Sequence, residues 1–358
     1  MQRTSRLLVV FTWALVGALL AGVADARSSS SVDPAFAQAL RFAPPVSRSA
    51  PYEIDFTDWA RIESSGSLRL SANPTIAQQE AFLTSVSNAG VQDVEPPTTL
   101  FPLSALRWET TFYSEAAPLV VAGFQPGFAL SRIADRLKLC GFESSSVSSF
   151  VIYVGSAAQV FKCSGASGIG LLGLNSVYAL DSKDHVVVSS TSLSPVRAAI
   201  AGSGLSPGSR PLADVLAPLS ADPALTIELG ASYCKQITHA ITRNLTAIQK
   251  HLVLGDDPAG AAYMAFALGY SVTPQPPTAQ IVMDYGNAQT ASAQLSLREQ
   301  LLTTEHSFKS DSPYSNYLAL ESAAADGRNV VLSVKPASGN RLELGAMAAN
   351  LDLAFARC

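Results

Sequence analysis

Few positions in this chain have the types and spacing that chemistry needs. "GIGLLG" (Gly168–Gly173) matches the glycine pattern of a dinucleotide loop. That mechanism requires a strand before the glycines and a helix N-terminus after them, so that backbone amides meet the pyrophosphate. Here a cysteine and a Ser/Gly loop precede the match and a strand-like run follows, so it reads as a loop and no cofactor is expected. Ser167 in "CSGASGIG" invites a nucleophile reading, but Ile169 stands where a nucleophile elbow needs its last glycine. The four histidines, His185, His239, His251 and His306, carry no local signature, and His239 and His251 are 12 residues apart, too far along a helix to share a metal. No metal site is expected.

Three carboxylates, Glu228, Asp284 and Glu321, each interrupt an apolar strand-like run. A carboxylate held against apolar side chains resists ionisation and can act as an acid or base. Glu228 shares its strand parity with Thr226, which reads as a solvent-facing pattern. Trp108 lies on an alternating strand and reads as core; Trp59, beside Asp58, is less committed. Neither establishes carbohydrate binding. Asn244-Leu245-Thr246 matches a glycosylation sequon, taken as chance in a chain of bacterial composition. No catalytic residue is assigned.

The cysteines say more. Cys140, Cys163, Cys234 and Cys358 form an even set with no C-x-x-C and no histidine at ligand spacing, which favours disulfides over zinc or redox chemistry. The pairs expected are Cys140–Cys163 and Cys234–Cys358. "ALSRIADRLKLCG" places Leu130, Ile133, Leu137 and Cys140 on one helical face, with Gly141 suited to the stop. Phe150–Gly155 reads as a strand with Cys163 just beyond, so the first bridge is read as a helix-to-strand staple worth roughly 3 kcal/mol by loop closure, and the longer bridge somewhat more.

The N-terminus reads as an export signal. Arg3 and Arg6 precede the apolar run Leu7–Val23, and Ala24-Asp25-Ala26 is a small-x-small cleavage pattern. The apolar run is 17 residues, at the short edge for a span; uncleaved, it would hold the protein at the membrane. Of the 24 basic and 28 acidic residues, cleavage after Ala26 removes Arg3, Arg6 and Asp25, leaving 22 and 27, a net of −5. With no Lys/Arg cluster there is no footprint for nucleic acid.

Residues 27–51 read as a flexible Ser/Pro-rich stalk, 52–210 as a first lobe with an N-terminal extension and 211–358 as a second. Strands are expected at "YEIDF", "RWETTFY", "LVVAGF", "LTIELG", "AAYMAFALGY" and "AQIVMDYG", with hairpins at Val177–Ser190 and about Asp326-Gly327. Asn73-Pro74 and Ser194-Pro195 read as helix starts, and Lys235–Leu252 and Asn287–Thr304 as further helices. Strand, helix, hairpin and helix recur in both halves. The fold class expected is α+β, two related lobes of mainly antiparallel sheet with helices on one face, ferredoxin-like in order.

"FTDWARI" (Phe56–Ile62) and "LRWETTF" (Leu106–Phe112) resemble stretches of exported α/β proteins of actinobacteria to which no activity is assigned. The resemblance covers the first half of the mature chain and implies export and a cell-envelope setting; it carries no catalytic residues. The function expected is a non-enzymatic binding or scaffold module of the envelope, with a ligand or protein partner the sequence does not name. The alternative is a secreted hydrolase that brings a Ser or carboxylate, such as Ser167, against His185 or His239. Edman sequencing of the exported protein is expected to start at Arg27, and its non-reduced mass to lie about four units below the reduced mass. Four free thiols would overturn both bridges.

Overall fold

Strand β1 (Tyr52–Thr57) alternates apolar and acidic side chains, and that alternation organises the whole molecule. Tyr52, Ile54 and Phe56 enter one apolar core, so Glu53 and Asp55 point to the other face of the sheet. The computed structural model describes residues 32–45, 52–66, 68–71, 73–89, 100–115, 117–164, 175–202, 204–210, 212–219, 222–244, 260–272, 276–339 and 341–358.

The strands are β1, β2 (Leu106–Tyr113), β3 (Leu119–Phe124), β4 (Glu143–Val147), β5 (Phe150–Val154), β6 (Val177–Asp181), β7 (Val186–Ser190), β8 (Ala224–Leu229), β9 (Ala265–Ser271), β10 (Thr278–Asp284), β11 (Leu318–Asp326) and β12 (Asn329–Pro336). They form one 12-stranded sheet in the order β11-β12-β10-β9-β8-β1-β2-β3-β7-β6-β5-β4. Every neighbouring pair is antiparallel. The fold is α+β. Each half contains a hairpin, β2–β3 or β9–β10, followed by a helix and a meander whose last strand returns beside the hairpin: β7 on β3, and β12 on β10. The halves meet where β1 pairs with β8.

Helices cover both faces, not one. On the first face lie α1 (Pro34–Leu40), α6 (Leu193–Ile200) and α7 (Leu212–Leu219). On the second lie α2 (Trp59–Ser64), α3 (Ile76–Asn88), α4 (Ser131–Cys140), α5 (Ala157–Ser164), α8 (Ser232–Asn244), α9 (Ala288–Thr304) and α10 (Leu344–Ala349). Two cores follow from the pleat: Val121, Val188, Ile227 and Val282 face the first layer, while Val120, Val187, Phe266 and Ile281 face the second. Strands buried on both faces read as continuous apolar runs; β3, β7 and β8 have no exposed position.

Part of the expected stalk is packed. Asp33 accepts from the Ala35 and Phe36 N–H groups at 2.7 and 3.3 Å, and Pro34 opens α1. Ala35, Phe36, Ala39 and Leu40 are buried, and the Phe36 ring meets Phe56 edge-on at 4.9 Å. The rest of the expected stalk, the signal, Ser167, the glycine run and His251 lie outside the described residues. The α3 start is Thr75, with a capping box to Gln78, not Asn73-Pro74. The α6 N-cap is Ser192, two residues before the expected Ser194.

Cys140 is bonded to Cys163, and Cys234 to Cys358. Cys163 lies on α5, so the first bridge joins two helices where a helix and a strand end were expected. The second joins α8 to the C-terminal segment. Beside that segment Arg298 of α9 is fully buried. Its Nε donates to Tyr285 Oη at 2.7 Å, Nη1 to the carbonyls of Phe355 and Arg357 at 2.8 and 2.7 Å, and Nη2 to the Ala261 carbonyl at 3.0 Å. The guanidinium also lies 5.9 and 6.0 Å from the Tyr263 and Tyr285 ring centres. A Cβ at Gly260 would come within 2.2 Å of it, so glycine is required there. A buried charge is tolerable only when its donors are met, and here four of the guanidinium's five N–H groups are. Arg298→Met leaves three carbonyls unsatisfied, and urea unfolding is expected to show a loss of roughly 3–5 kcal/mol. The exposed Arg341→Met control stays within about 0.5 kcal/mol.

Candidate functional site

The junction of the two halves gathers acid groups on one face of the sheet. Backbone register sets Glu53 opposite Tyr113 on β2 and Glu228 on β8; Asp55 lies opposite Thr111 and Thr226; Thr57 lies opposite Glu109. All eight share the face of the second core, because their strand neighbours Tyr52, Ile54, Phe56, Trp108, Phe112, Leu225 and Ile227 enter the first. Four carboxylates, two from β1 and one from each flanking strand, therefore form a row on one face across the middle of the sheet. Glu53, Asp55, Glu109 and Tyr113 are half-buried, and Glu228 is buried at 7% exposure.

The row is more buried toward the second half. Glu228 lies beside Phe266 of β9 in register. Tyr233 of α8 and Tyr263 meet the Phe266 ring at 5.0 and 5.8 Å. Burial raises the Glu228 carboxyl well above the usual carboxylate range, the charges of Glu53 and Asp55 raise it further, and so does its hydrogen bond to Glu53. Two carboxyls in a hydrogen bond share one proton, and the buried member keeps it. Thr226 Oγ1 donates to Asp55 Oδ1 at 2.8 Å. Tyr233 is raised by burial first, then by Glu228, Tyr263, Glu53 and Tyr270. The Tyr263 hydroxyl is fully buried and has no hydrogen-bond partner among the described residues; burial raises it, the Arg298 guanidinium near its ring lowers it, and Tyr285 and Glu228 raise it again.

The parity of Glu228 with Thr226 pointed to solvent; both are buried instead, because helices cover that face too. Asp284 is buried in an ion pair, taking Arg328 Nε at 2.7 Å, with Asp214 on the other side of Arg328 at 3.1 Å. Glu321 pairs with Lys335 near the sheet edge. The three strand carboxylates do not converge. Trp108 packs on Gly123, where a Cβ would meet its ring at 2.3 Å, and is core. Trp59 is also buried, beside Phe82.

His185 occupies a left-handed turn position at φ 52°, and its Nδ1 is buried without a partner among the described residues. His239 is exposed on α8, where Lys235, His239 and Arg243 line an open groove of about 720 Å³ with Leu351. His306 sits in an isolated bridge to Pro313. None of these three side chains hydrogen-bonds a serine or a carboxylate among the described residues. No group of three or more His, Cys, Asp or Glu side chains there is arranged to hold a metal. The sequon begins at the last residue of α8, and its Leu245 and Thr246 lie outside the described residues.

A second unusual acid lies where the chain enters β8. Asp222 is buried, its Oδ2 has no hydrogen-bond partner among the described residues, and a Cβ at Gly269 would stand 2.1 Å from that oxygen. Burial pushes its carboxyl up to about 7, against a smaller lowering by Arg61. Neither Asp222 nor Glu53, Asp55 and Glu109 stood out in the sequence. Acids at every second position of "YEIDFT" and in "RWETTFY" were the available signal, but the pairing that assembles them was not.

No protein-family model matches the chain, and no curated protein matches it. Among solved structures, crystal form I of TP0453 is similar at 9% identity and a TM-score of 0.40, over 90% of this chain and 98% of that one. A likeness that low carries no argument here.

A carboxyl whose folded pKa is raised favours the folded state at low pH, and this contribution is lost as pH climbs from the unfolded toward the folded value. For Asp222 that window runs from 3.8 to about 7; Glu228 starts its loss above 4.5. Asp222→Asn and Glu228→Gln remove the charged form. Each is expected to match the parent at pH 4 and to melt a few degrees higher at pH 8, read by scanning calorimetry. Parallel pH profiles for parent and variants would refute the assignment.

Proposed function

We propose that the chain is an exported protein of the cell envelope that binds a ligand without transforming it. Two disulfides fit an extracytoplasmic location. No helix among the described residues is long and apolar enough to cross a membrane, which leaves the N-terminal segment as the element that would direct or anchor the chain. The resemblance of its first half to exported actinobacterial proteins points the same way.

One observation carries the binding reading: the half-buried row of acids at the seam, where Glu53 and Glu228 pair across β1 and β8. Acids set this close together in a sheet interior cost stability, and such sites are functional-site candidates. The hydrolase alternative needs a base beside a nucleophile. The carboxyl pair can move a proton, but no histidine reaches a serine or a carboxylate among the described residues, so that reading has the weaker support.

Native mass spectrometry of the protein isolated from its host's envelope tests this. A reproducible adduct that is missing from Glu53→Gln supports binding at the acid row. A bare chain, or an adduct indifferent to Glu53, would return the weight to a structural or enzymatic role.

A further inference from the structure

Helix α8 buries Tyr233, Cys234, Ile237 and Ile241 in the second core, which leaves its opposite face outward. Two rows run along that face at four-residue spacing, so each row is a line of neighbours on the helix surface. Lys235, His239 and Arg243 form one row and are exposed; Ser232, Gln236 and Ala240 form the other and are half-buried. Both rows line the groove of about 720 Å³, with Leu351 on its far wall. Every polar side chain of the lining can donate a hydrogen bond, and no acid is among them.

The cations of this row are not placed there by helix energetics. Lys235 lies one turn from the N-terminus of α8, where the helix dipole disfavours positive charge. The side chains of Lys235, His239 and Arg243 have no hydrogen bond or ion pair among the described residues. Arg41, Lys138, Lys335 and Arg341 elsewhere on the surface each reach an acid. In a chain of net charge −4, a row of cations without one acid beside it stands out.

Leu351 is an independent feature of the same groove. It follows α10 with φ at 55°, and the Leu351 and Asp352 N–H groups donate to the Ala348 and Met347 carbonyls at 2.9 and 2.7 Å. That helix stop ordinarily takes glycine or asparagine, because a larger side chain is strained in the left-handed region. Leucine there sets an apolar side chain partly on the core and partly on the groove wall. Strain of this kind collects at ligand sites.

We infer that this groove binds a ligand with two or more phosphate groups, joined by a short uncharged body that lies against Ala240 and Leu351. Four helical residues rise about 6 Å, so the backbone positions of Lys235 and Arg243 are about 12 Å apart with His239 between them. That spacing suits a row of phosphates better than a single one. Phosphate oxygens accept several donors at once: the Arg243 fork can hold two of them, Lys235 adds a point charge, and Ser232 and Gln236 donate from the floor. No aromatic side chain lines the groove, so it has no stacking platform for nucleic-acid bases. The groove shares no residue with the acid row and stands or falls apart from it.

Isothermal titration of the full mature chain with inorganic tripolyphosphate tests this. The expected result is saturable one-to-one binding that weakens as salt is raised. Lys235→Gln and Arg243→Gln should each weaken it about tenfold, whereas Arg132→Gln, which removes an exposed cation of α4, should leave it unchanged. Absence of saturable heat at millimolar tripolyphosphate, equal affinity for orthophosphate or citrate, or an equal loss in Arg132→Gln would each overturn the inference. Co-sedimentation with phosphatidylcholine vesicles that contain cardiolipin, whose two phosphates a glycerol joins, separates the two sources of such a ligand. Sedimentation of the parent but not of Arg243→Gln assigns a lipid headgroup; a parent that binds tripolyphosphate yet stays in solution assigns a soluble phosphate ester.

Discussion

Strand β1 is hydrogen-bonded on both sides, to β2 from one half of the chain and to β8 from the other, and the rest of the architecture depends on that double pairing. Without it the sheet would be two open sheets, each with a long edge, and exposed edges invite association. With it, a single pleat runs from β11 to β4 and fixes which side chains share a face. The same register that buries Ile54 and Phe56 against the first helical layer puts Glu53 against Glu228 on the second. Structure and site therefore rest on one set of backbone bonds. A slip of one residue would exchange the acid row for the apolar one.

Burial of polar groups follows from the second helical layer. Arg298 and Glu228 are both enclosed, but their neighbourhoods differ in kind. Arg298 donates four hydrogen bonds, to Tyr285 and three carbonyls, and acts as a rivet for the C-terminal segment that the Cys234–Cys358 bridge also holds. Arg357 of the same segment adds a buried ion pair with Glu305 at the end of α9. Glu228 faces Glu53, Asp55 and the phenols of Tyr233 and Tyr263 instead, and burial with the neighbouring acids raises its carboxyl. One site is satisfied and structural. The other holds its charge in check by favouring its protonated form.

The helix-forming segments show where local signals suffice. Asp33-Pro34 caps α1 with the ordinary N-terminal chemistry, yet in sequence it sits between Ser-rich and Pro-rich stretches that read as a mobile stalk. Its apolar face is a short run, Ala35, Phe36, Ala39 and Leu40, and only the presence of Phe56 and neighbouring groups beneath it makes burial worthwhile. Strand β4, "ESSSV", is exposed at every position and polar at all but Val147, and it exists because β5 offers it an edge to pair with. Helix α5 has no counterpart among the expected elements, Cys163 being placed just beyond the strand Phe150–Gly155; helix packing brings it to Cys140.

By itself the sequence determined what depends on neighbours along the chain: the α+β class, most strand positions, the amphipathic face of α4, the turn about Asp326-Gly327, and an even cysteine set with an export-like N-terminus. These follow from period-2 and period-3.6 patterns and from cap and turn residues, whose physics is local. Only the tertiary structure decided the fusion of both halves into one sheet, the second helical layer, the burial of Arg298 and the meeting of Glu53 with Glu228. Glu53 and Glu228 are 175 positions apart, and no local pattern encodes their pairing. Whether an alternating acid faces water or another acid depends on which strand lies beside it and on what covers that face, and both are set by long-range hydrogen bonding and packing.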